Sequence, residues 1–224
     1  MAFRPEVIPF LFVSLVLGGL VFSALRLCRV ANKRSLAVGG LIAVLLSGYM
    51  LYFFRDPPRQ APADPASVVA GADGTIMSVV DLQEPNFLKT NCVRISIFLS
   101  LFDVHVNRAP IGGTVQFAQD YPGSRYFTFL EKSSDYNQHS TIVIRGKETS
   151  CIVNQIVGPI ARRVVHWVAP GQQVEKGESI GMMKFGSRLD MVFPKDDVEV
   201  TVKKGMKVRA GETVVALLKA KVAP

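Results

Sequence analysis

Hydrophobic and polar positions divide the chain into two parts with different patterns. Pro9 to Leu25 is an uncharged apolar run of 17 residues, and Ser35 to Phe54 is a second such run of 20. Each run is close to the length that an α-helix needs to cross the hydrocarbon core of a bilayer. The pattern therefore predicts a hydrophobic helical hairpin over residues 1–54 that anchors the chain in a membrane.

The rest of the chain has the shorter period of β-structure. Residues 55–66 are dense in proline and aspartate and have no apolar period, which predicts a linker. From residue 67 onward, short apolar runs alternate with turn residues, a pattern typical of strands. The predicted strands are Ser67–Ala70, Thr75–Val80, Val93–Leu99, Gly113–Phe117, Phe127–Leu130, Thr141–Arg145 and Cys151–Val157. We therefore expect a mainly β domain over residues 67–224, without a helix of normal length.

An internal repeat lies near the C-terminus. Gly171 to Met183, GQQVEKGESIGMM, recurs as Gly205 to Leu217, GMKVRAGETVVAL. Duplicated strand-turn units predict two related halves of a small β-sandwich. The pattern resembles the lipoyl and biotinyl carrier domains, in which such halves flank a tight hairpin that presents a modified lysine. By this resemblance the bond between Gly186 and Ser187 would lie at the hairpin tip.

Composition narrows the environment and the partners. Hydrophobic residues make up 49% of the chain, which is high for an ordinary soluble domain. The formal net charge of +8, without any nucleic-acid-binding motif, predicts attraction to an anionic lipid surface and no nucleic-acid partner. Cys28, Cys92 and Cys151 lack metal-ligand spacing, so we expect neither a metal site nor a disulfide framework. A reducing cytoplasm fits this cysteine usage.

The orientation of the hairpin in the membrane stays open at this point. Four basic residues lie between the two apolar runs, and the positive-inside tendency would place them in the cytoplasm with both termini outside: Arg26, Arg29, Lys33 and Arg34. That orientation conflicts with a β-rich domain in the cytoplasm, the compartment that the cysteine usage fits. Either the hairpin dips into one leaflet only, or Arg4, Arg55 and Arg59 compete for the inner side.

Three residue types in the β-rich domain form a set that is sufficient for nucleophilic chemistry. Ser187 supplies a hydroxyl, His105 a base, and Asp73 a carboxylate that can fix the tautomer of that base. The glycine before Ser187 leaves room for the hydroxyl to turn onto the preceding carbonyl group. His139 and His166 compete for the role of base, and residue type alone favours ordinary structural roles for His105 and Asp73.

Three segments, taken together and in this order, resemble the signature regions of the phosphatidylserine decarboxylases of the shorter bacterial and archaeal type. They are ADG at Ala72–Gly74, FLSLFDVHVNRAPIGG at Phe98–Gly113, and KFGSRLDMVFP at Lys184–Pro194. The resemblance extends from about residue 67 to the C-terminus.

Two departures from the family pattern bear on the site. Asn137-Gln138-His139 replaces an Asn-Glu-Arg motif that is frequent in the family. Other members have two histidines after the apolar strand. This chain has only His105, and Arg108 lies close to the position of the second histidine. How cleavage and decarboxylation share their residues is therefore left open.

The resemblance implies a self-processing decarboxylase of phosphatidylserine. Ser187, deprotonated by His105 with Asp73 as its orienting carboxylate, would cleave the bond after Gly186 and give a β chain (1–186) and an α chain (187–224). Ser187 would become a covalent pyruvoyl group, so that neither pyridoxal phosphate nor a metal is required. We expect the enzyme at the cell membrane, with the catalytic domain on the cytoplasmic side, and leave a homodimer open.

The alternative is a membrane-anchored carrier or adaptor module without enzymatic activity. A lipoyl or biotinyl carrier needs a lysine between methionines at its hairpin tip, and Lys184 comes three residues too early. An efflux adaptor should contain a long coiled-coil hairpin, and the chain has no heptad pattern. Both features favour the enzyme.

Overall fold

The chain forms two compact units, Met1–Pro58 and Arg59–Pro224. A computed structural model describes residues 2–124, 126, 137–158, 164–184 and 187–220. The predicted strand Phe127–Leu130 lies outside the described residues.

The first unit is a helical hairpin, as its two apolar runs predict. A short 3₁₀ turn, Pro5–Val7, leads into helix α1 (Ile8–Leu27), and helix α2 (Asn32–Phe53) returns antiparallel to it. Strands β1 (Ala2–Phe3) and β2 (Arg55–Asp56) pair and close the hairpin. Both helices are long and apolar enough to cross a membrane, with mean hydropathies of 2.4 and 2.0.

Glycines let the two helices of the hairpin approach closely. A Cβ atom added at Gly18 would lie 2.7 Å from the carbonyl oxygen of Gly39, and one at Gly39 would lie 2.7 Å from that of Gly18. Small residues at such a contact allow helix backbones to pack by van der Waals contact where the surroundings are apolar. Large side chains point outward instead, and Leu20 is 60% exposed.

The second unit is built from antiparallel strands, and its described residues contain no helix. Its strands are β3 (Ser67–Val69), β4 (Gly74–Glu84), β5 (Thr90–Leu99), β6 (Val106–Arg108), β7 (Gly113–Tyr121), β8 (His139–Arg145), β9 (Ser150–Val157), β10 (Val164–His166), β11 (Gln173–Val174), β12 (Ser179–Met183), β13 (Ser187–Pro194), β14 (Val198–Val200), β15 (Lys207–Val208) and β16 (Val214–Leu218). The strands predicted in described residues are thus confirmed.

These strands form one large sheet and two small ones. The large sheet has the order β11-β7-β8-β9-β13-β5-β4-β15, and the small sheets have the orders β10-β12-β6 and β14-β16-β3. The main hydrophobic core contains alternate residues of the central strand β13, including Leu189, Met191 and Phe193. Side chains alternate between faces along a strand, so Ser187 lies on this core face and Arg188 on the opposite face.

The sheet orders show that the unit is a duplication. One half contains β6 to β12, and the other contains β3, β4, β5 and β13 to β16; each half contributes four strands to the large sheet and one small sheet. Backbone contacts repeat between the halves: Val69 N donates to Pro110 O, and Arg108 N donates to Gly71 O. The chain crosses between the halves twice, after β5 and after β12.

The sequence repeat is the part of this duplication that the residues preserve. Its paired glycines have matching backbone angles, with φ of +89° at Gly171 and +92° at Gly205, and +84° at Gly177 and +74° at Gly211. Side-chain-bearing residues rarely adopt these angles, so glycine is required at each turn. The predicted duplicated β-sandwich is therefore confirmed, in a larger form than the repeat alone indicates.

The prediction that Ser187 lies at a hairpin tip is wrong. Strand β12 pairs with β10 and β6, whereas β13 pairs with β9 and β5, so the two strands that flank the bond belong to different sheets. The physical reason is that one half is formed by two separate stretches of the chain, β3 to β5 and β13 to β16. After β12 the chain returns to the other half, where Ser187 is the first residue of the next strand, β13.

Candidate active site

Ser187 begins the central strand of the large sheet. Its backbone pairs with Leu99 of β5 and Val157 of β9. The residue is fully buried, and its Oγ atom has no hydrogen-bond partner in the described part of the chain. A buried hydroxyl without a partner is costly, and in native proteins such groups often have a chemical role.

His105 lies on the other crossing between the halves, close to the same strand ends. Its carbonyl oxygen accepts a hydrogen bond from the backbone N–H of Met183, at 3.2 Å, four residues before Ser187. Its Nδ1 atom is 2.9 Å from the backbone oxygen of Asp103. Because a carbonyl oxygen can only accept, Nδ1 carries the proton and Nε2 is the basic nitrogen. The side chain is thus held in the tautomer that a general base needs.

Asp73 reaches the same end of the large sheet through a turn that only glycine can follow. A Cβ atom added at Gly74 would lie 2.2 Å from the carbonyl oxygen of Phe98. The next residue, Thr75, pairs with Phe98, which also pairs with Arg188. Gly74, the first residue of β4, is therefore two strands away from Ser187, or about 10 Å across the sheet, and Asp73 directly precedes it.

The carboxylate of Asp73 is held by two donors. Oδ1 accepts from the backbone N–H of Ala210 at 2.7 Å, and Oδ2 pairs with the Arg59 guanidinium at 2.7 Å. Arg59 also pairs with Glu212, at 2.8 Å. A carboxylate has about four acceptor positions, so these contacts leave it able to accept another hydrogen bond. That Asp73 orients His105 stays a prediction.

Opposing effects act on the protonation of Asp73. Burial raises its pKa; the Ala210 hydrogen bond and the Arg59 charge lower it, and the nearby Asp103 carboxylate raises it further. The net pKa is above the usual value for aspartate. Such shifts are frequent at functional sites, although structural ion pairs also produce them.

The two competing histidines lie elsewhere. His139 pairs with Ile156, which pairs with Arg188, so the three side chains share the face opposite Ser187. His139 stacks on the ring of Tyr121 at a centroid distance of 5.0 Å.

His166 lies beside strands β7 and β8 of the large sheet. Its Nδ1 atom is 3.2 Å from the carboxylate of Asp120 on β7 and 3.3 Å from the hydroxyl of Ser140 on β8. Strand β8 is two strands away from β13 in the large sheet. Neither His139 nor His166 thus lies where His105 does, close to the strand end that carries Ser187.

Two arginines near Ser187 make contacts inside the protein. Arg188 is fully buried and donates to Asp190 at 2.7 Å and to Ser96 at 2.8 Å, on the face away from Ser187. Arg108, near the place of the family's second histidine, donates to the carbonyl oxygen of Gly177 at 2.9 Å. Both arginines thus make buried structural contacts.

Gly186, the other half of the predicted cleavage site, lies outside the described residues. Sequence reasoning missed Arg59, which falls in the predicted linker, and Asp103, whose contact with His105 is made by the backbone. Glu212 carried a signal, because it matches Glu178 in the repeat. Within the described ranges, no cluster of three or more His, Cys, Asp or Glu residues could hold a metal ion.

Comparisons with known proteins agree with these motifs. A family profile described as phosphatidylserine decarboxylase matches residues 46–216. A phosphatidylserine decarboxylase proenzyme of Carboxydothermus hydrogenoformans is 42% identical over 180 residues, covering 80% of this chain and 84% of the relative. The proenzyme of Solibacter usitatus is 41% identical over 199 residues, covering 88% and 93%. That of Chlorobium phaeovibrioides is 41% identical over 201 residues, covering 90% and 89%. The chain belongs to the phosphatidylserine decarboxylase family.

Proposed function

We propose that this chain is a self-processing, membrane-anchored enzyme that converts phosphatidylserine to phosphatidylethanolamine and carbon dioxide. The observation that carries the proposal is the buried hydroxyl of Ser187, which has no hydrogen-bond partner among the described residues and lies where the chain passes from one half to the other. The proenzyme names of the relatives support processing of the chain, and their substrate supports the reaction.

Cleavage begins with the Ser187 hydroxyl. Nε2 of His105 takes its proton, and Oγ attacks the carbonyl carbon of Gly186, so that the peptide bond becomes an ester and the nitrogen of Ser187 becomes an amine. β-Elimination then leaves a carboxylate on Gly186 and a dehydroalanine at position 187. Addition of water and loss of ammonia give the pyruvoyl group at the new N-terminus.

The residues around position 187 fit such a group. It would lie on the core face of the central strand, in a buried setting that excludes water from the reacting atoms. When present, the pyruvoyl group supplies an electrophilic carbonyl that accepts the electrons released as carbon dioxide leaves. His105 remains at the same strand ends and is the residue that we assign to return a proton to the substrate carbon.

Asp73 acts on His105 from the adjacent turn. In its ionised form it stabilises the imidazolium that forms when His105 takes the serine proton. The Arg59 charge favours ionised Asp73, because it is one of the contacts that lower the pKa of this carboxyl. Arg59 therefore sets the pH range in which Asp73 is ionised and can stabilise the protonated His105.

In an Arg59→Met chain, the rate of processing is expected to fall off at a higher pH on the acid side of its pH profile. Loss of the guanidinium removes a cause that lowers the Asp73 pKa, so a higher pH is needed to ionise the carboxyl. The rate of conversion from one chain to two, measured across pH, checks this. The matched control is Lys195→Met, which removes a cation from the exposed carboxylate of Asp81. An unchanged profile for Arg59→Met would remove this residue from the mechanism.

The apolar hairpin supports a lipid substrate. Moving a diacyl lipid into water costs about 0.8 kcal/mol for each CH₂ group exposed, so the active site has to come to the bilayer. Two outward-facing apolar helices and a net charge of +8 suit a membrane with anionic lipid. Free amino acids, by contrast, would gain nothing from this anchor.

We place the second unit on the cytoplasmic side of the cell membrane. The cysteine usage fits a reducing compartment, and Cys92 and Cys151 are both free and buried. Protease added to inverted membrane vesicles should degrade residues 59–224, whereas protease added to right-side-out spheroplasts should not. The reverse pattern would place the unit outside.

The reaction is tested with carboxyl-labelled substrates. Detergent-solubilised enzyme should release labelled carbon dioxide from phosphatidylserine and none from free serine. Hydroxylamine should abolish the release, because it traps the pyruvoyl carbonyl. Turnover of free serine at an equal rate, or activity that survives hydroxylamine, would contradict the proposal.

A further inference from the structure

Two buried amide side chains lie beside Ser187, and half of their hydrogen-bonding groups have no partner in the part of the chain that the structure describes. Asn107 of β6 and Gln155 of β9 are both fully buried. Gln155 Nε2 donates to Asn107 Oδ1 at 2.7 Å. Asn107 Nδ2 and Gln155 Oε1 have no hydrogen-bond partner in the described ranges. If both amides were turned over together, the pair would still leave one donor and one acceptor unused.

The strand register places this amide pair at the reactive end of the sheet. Ser187 pairs with Val157 and Leu189 pairs with Gln155, so Gln155 is the diagonal neighbour of Ser187 on the same face. Diagonal neighbours lie about 7–8 Å apart, within reach of a long side chain. Asn107 lies on β6, two residues after His105, whose carbonyl oxygen accepts a hydrogen bond from Met183 of β12.

Gly181 makes room for the amide pair. A Cβ atom added there would lie 2.6 Å from Gln155 Nε2. The polar atoms of the pair therefore occupy space that a side chain at this position would close.

The duplication provides an internal comparison. Val69 and Arg108 make equivalent contacts in the two halves, so Asn107 corresponds to Val68.

The position of Gln155 is matched through the ladders of the large sheet. Thr75 pairs with Phe98 in one half, and Thr114 pairs with Arg145 in the other. On the next strand of each half, the core position that follows this pair is Leu189 in the first half and Cys151 in the second. Counting four residues onward from each makes Phe193 the counterpart of Gln155. Val68 and Phe193 are fully buried members of the hydrophobic core. The fold accepts apolar side chains at these places, so it does not require the amides.

We propose that the Asn107–Gln155 pair binds the amino acid headgroup of the substrate, its unused N–H group donating to the carboxylate and its unused oxygen accepting from the amino nitrogen. One donor and one acceptor match the two charged groups that an amino acid headgroup carries. A neutral amide pair also recognises the carboxylate without a full positive charge that would hold it back from decarboxylation. The proposal rests on the proposed function.

Burial of the pair in the uncut chain does not oppose this role. Ser187 is equally buried, and the substrate has to reach position 187. Cleavage creates a chain end at residue 186, beside the site. A path that opens toward position 187 also opens toward its neighbours on the same face.

The test uses an Asn107→Leu/Gln155→Met double variant, which replaces both amides by apolar groups of similar shape. Removing both partners of a hydrogen bond is close to neutral for stability, so the melting temperature should be unchanged or higher, and the chain should still be processed. Glycerophosphoserine, measured as an inhibitor, should bind about 10- to 100-fold more weakly. Glycerophosphoethanolamine, which lacks the carboxylate, should lose less affinity.

The matched control is Gln83→Met/Asn91→Leu, which removes the same kind of amide hydrogen bond, 3.0 Å long, from the exposed hairpin of β4 and β5. It should leave both inhibition constants unchanged. Asn107→Asp provides a second variant of unchanged size, and it should weaken glycerophosphoserine selectively by repelling its carboxylate. Unchanged affinity for glycerophosphoserine in the processed double variant, or equal loss for both inhibitors, would overturn the inference. Failure of the wild-type enzyme to act on phosphatidylserine would overturn the proposed function instead.

Discussion

A Ser187→Ala chain will remain a single polypeptide of 224 residues, whereas the wild-type chain will separate into pieces of 186 and 38 residues. The alanine has no hydroxyl to attack the carbonyl carbon of Gly186, and nothing else in the mechanism replaces it. Decarboxylase activity should fall to background, because the pyruvoyl group can only come from this residue. A denaturing gel and a labelled carbon dioxide assay measure both effects.

Two features make the Ser187→Ala experiment specific. The substitution removes a buried hydroxyl without a partner in the described residues, so the uncut chain should be at least as stable as the wild type. Ser78→Ala is the matched control: the Ser78 oxygen is also buried without a partner within the described ranges, but it lies on β4 and pairs across to Ser96. Ser78→Ala should process normally. Two chains from Ser187→Ala would disprove cleavage at this residue.

A His105→Ala chain will process about 10²- to 10⁴-fold more slowly, the usual contribution of a general base. The imidazole is fully buried, and Asp103 holds its Nδ1 proton so that Nε2 can take the serine proton. The fraction of uncut chain, followed on a gel after synthesis in a cell-free system, gives the rate directly.

The matched controls are the other two histidines of the chain. His139→Ala and His166→Ala should process at the wild-type rate, because His139 lies on the opposite face of the sheet and His166 contacts Asp120 and Ser140. Normal processing of His105→Ala would transfer the role of base to another group. Slow processing of His139→Ala would point to that residue.

The parts of the fold with a strong local pattern were predictable from the sequence. Two uncharged runs of membrane-spanning length gave the helices, and alternating apolar residues gave the strands, because burial of one side of each element is visible in its period. The glycines at 171, 177, 205 and 211 revealed the duplication, since their positive φ angles constrain residue type.

The rest of the duplication was not visible, because packing constrains its positions less tightly than backbone angle constrains glycine. Val68 corresponds to Asn107, and Phe193 to Gln155, so equivalent positions no longer resemble each other. The repeat alone therefore indicated a hairpin with Ser187 at its tip. The strand order, which depends on distant pairings, places Ser187 at a crossing between two sheets instead.

In the site, too, some residues were predictable from the sequence and others were not. Ser187, His105 and Asp73 were identified by residue type and motif, and the fold brings all three to one end of the large sheet. Arg59 was missed because a proline-rich segment gives no sign of the distant carboxylate that it pairs with. The burial of Arg188 had no signal in the sequence, because charged residues usually lie at the surface; inside the protein, Asp190 and Ser96 accept its hydrogen bonds.

Intact-mass analysis of the purified wild-type protein tests the central claim most directly. The account predicts two chains: one ending at Gly186 with a free carboxylate, and one with residues 188–224 behind an N-terminal pyruvoyl group in place of Ser187. Treatment with hydroxylamine should increase the mass of the smaller chain alone, because it converts the pyruvoyl carbonyl to an oxime. A single intact chain with full decarboxylase activity, or a smaller chain that begins with an unmodified serine, would contradict it.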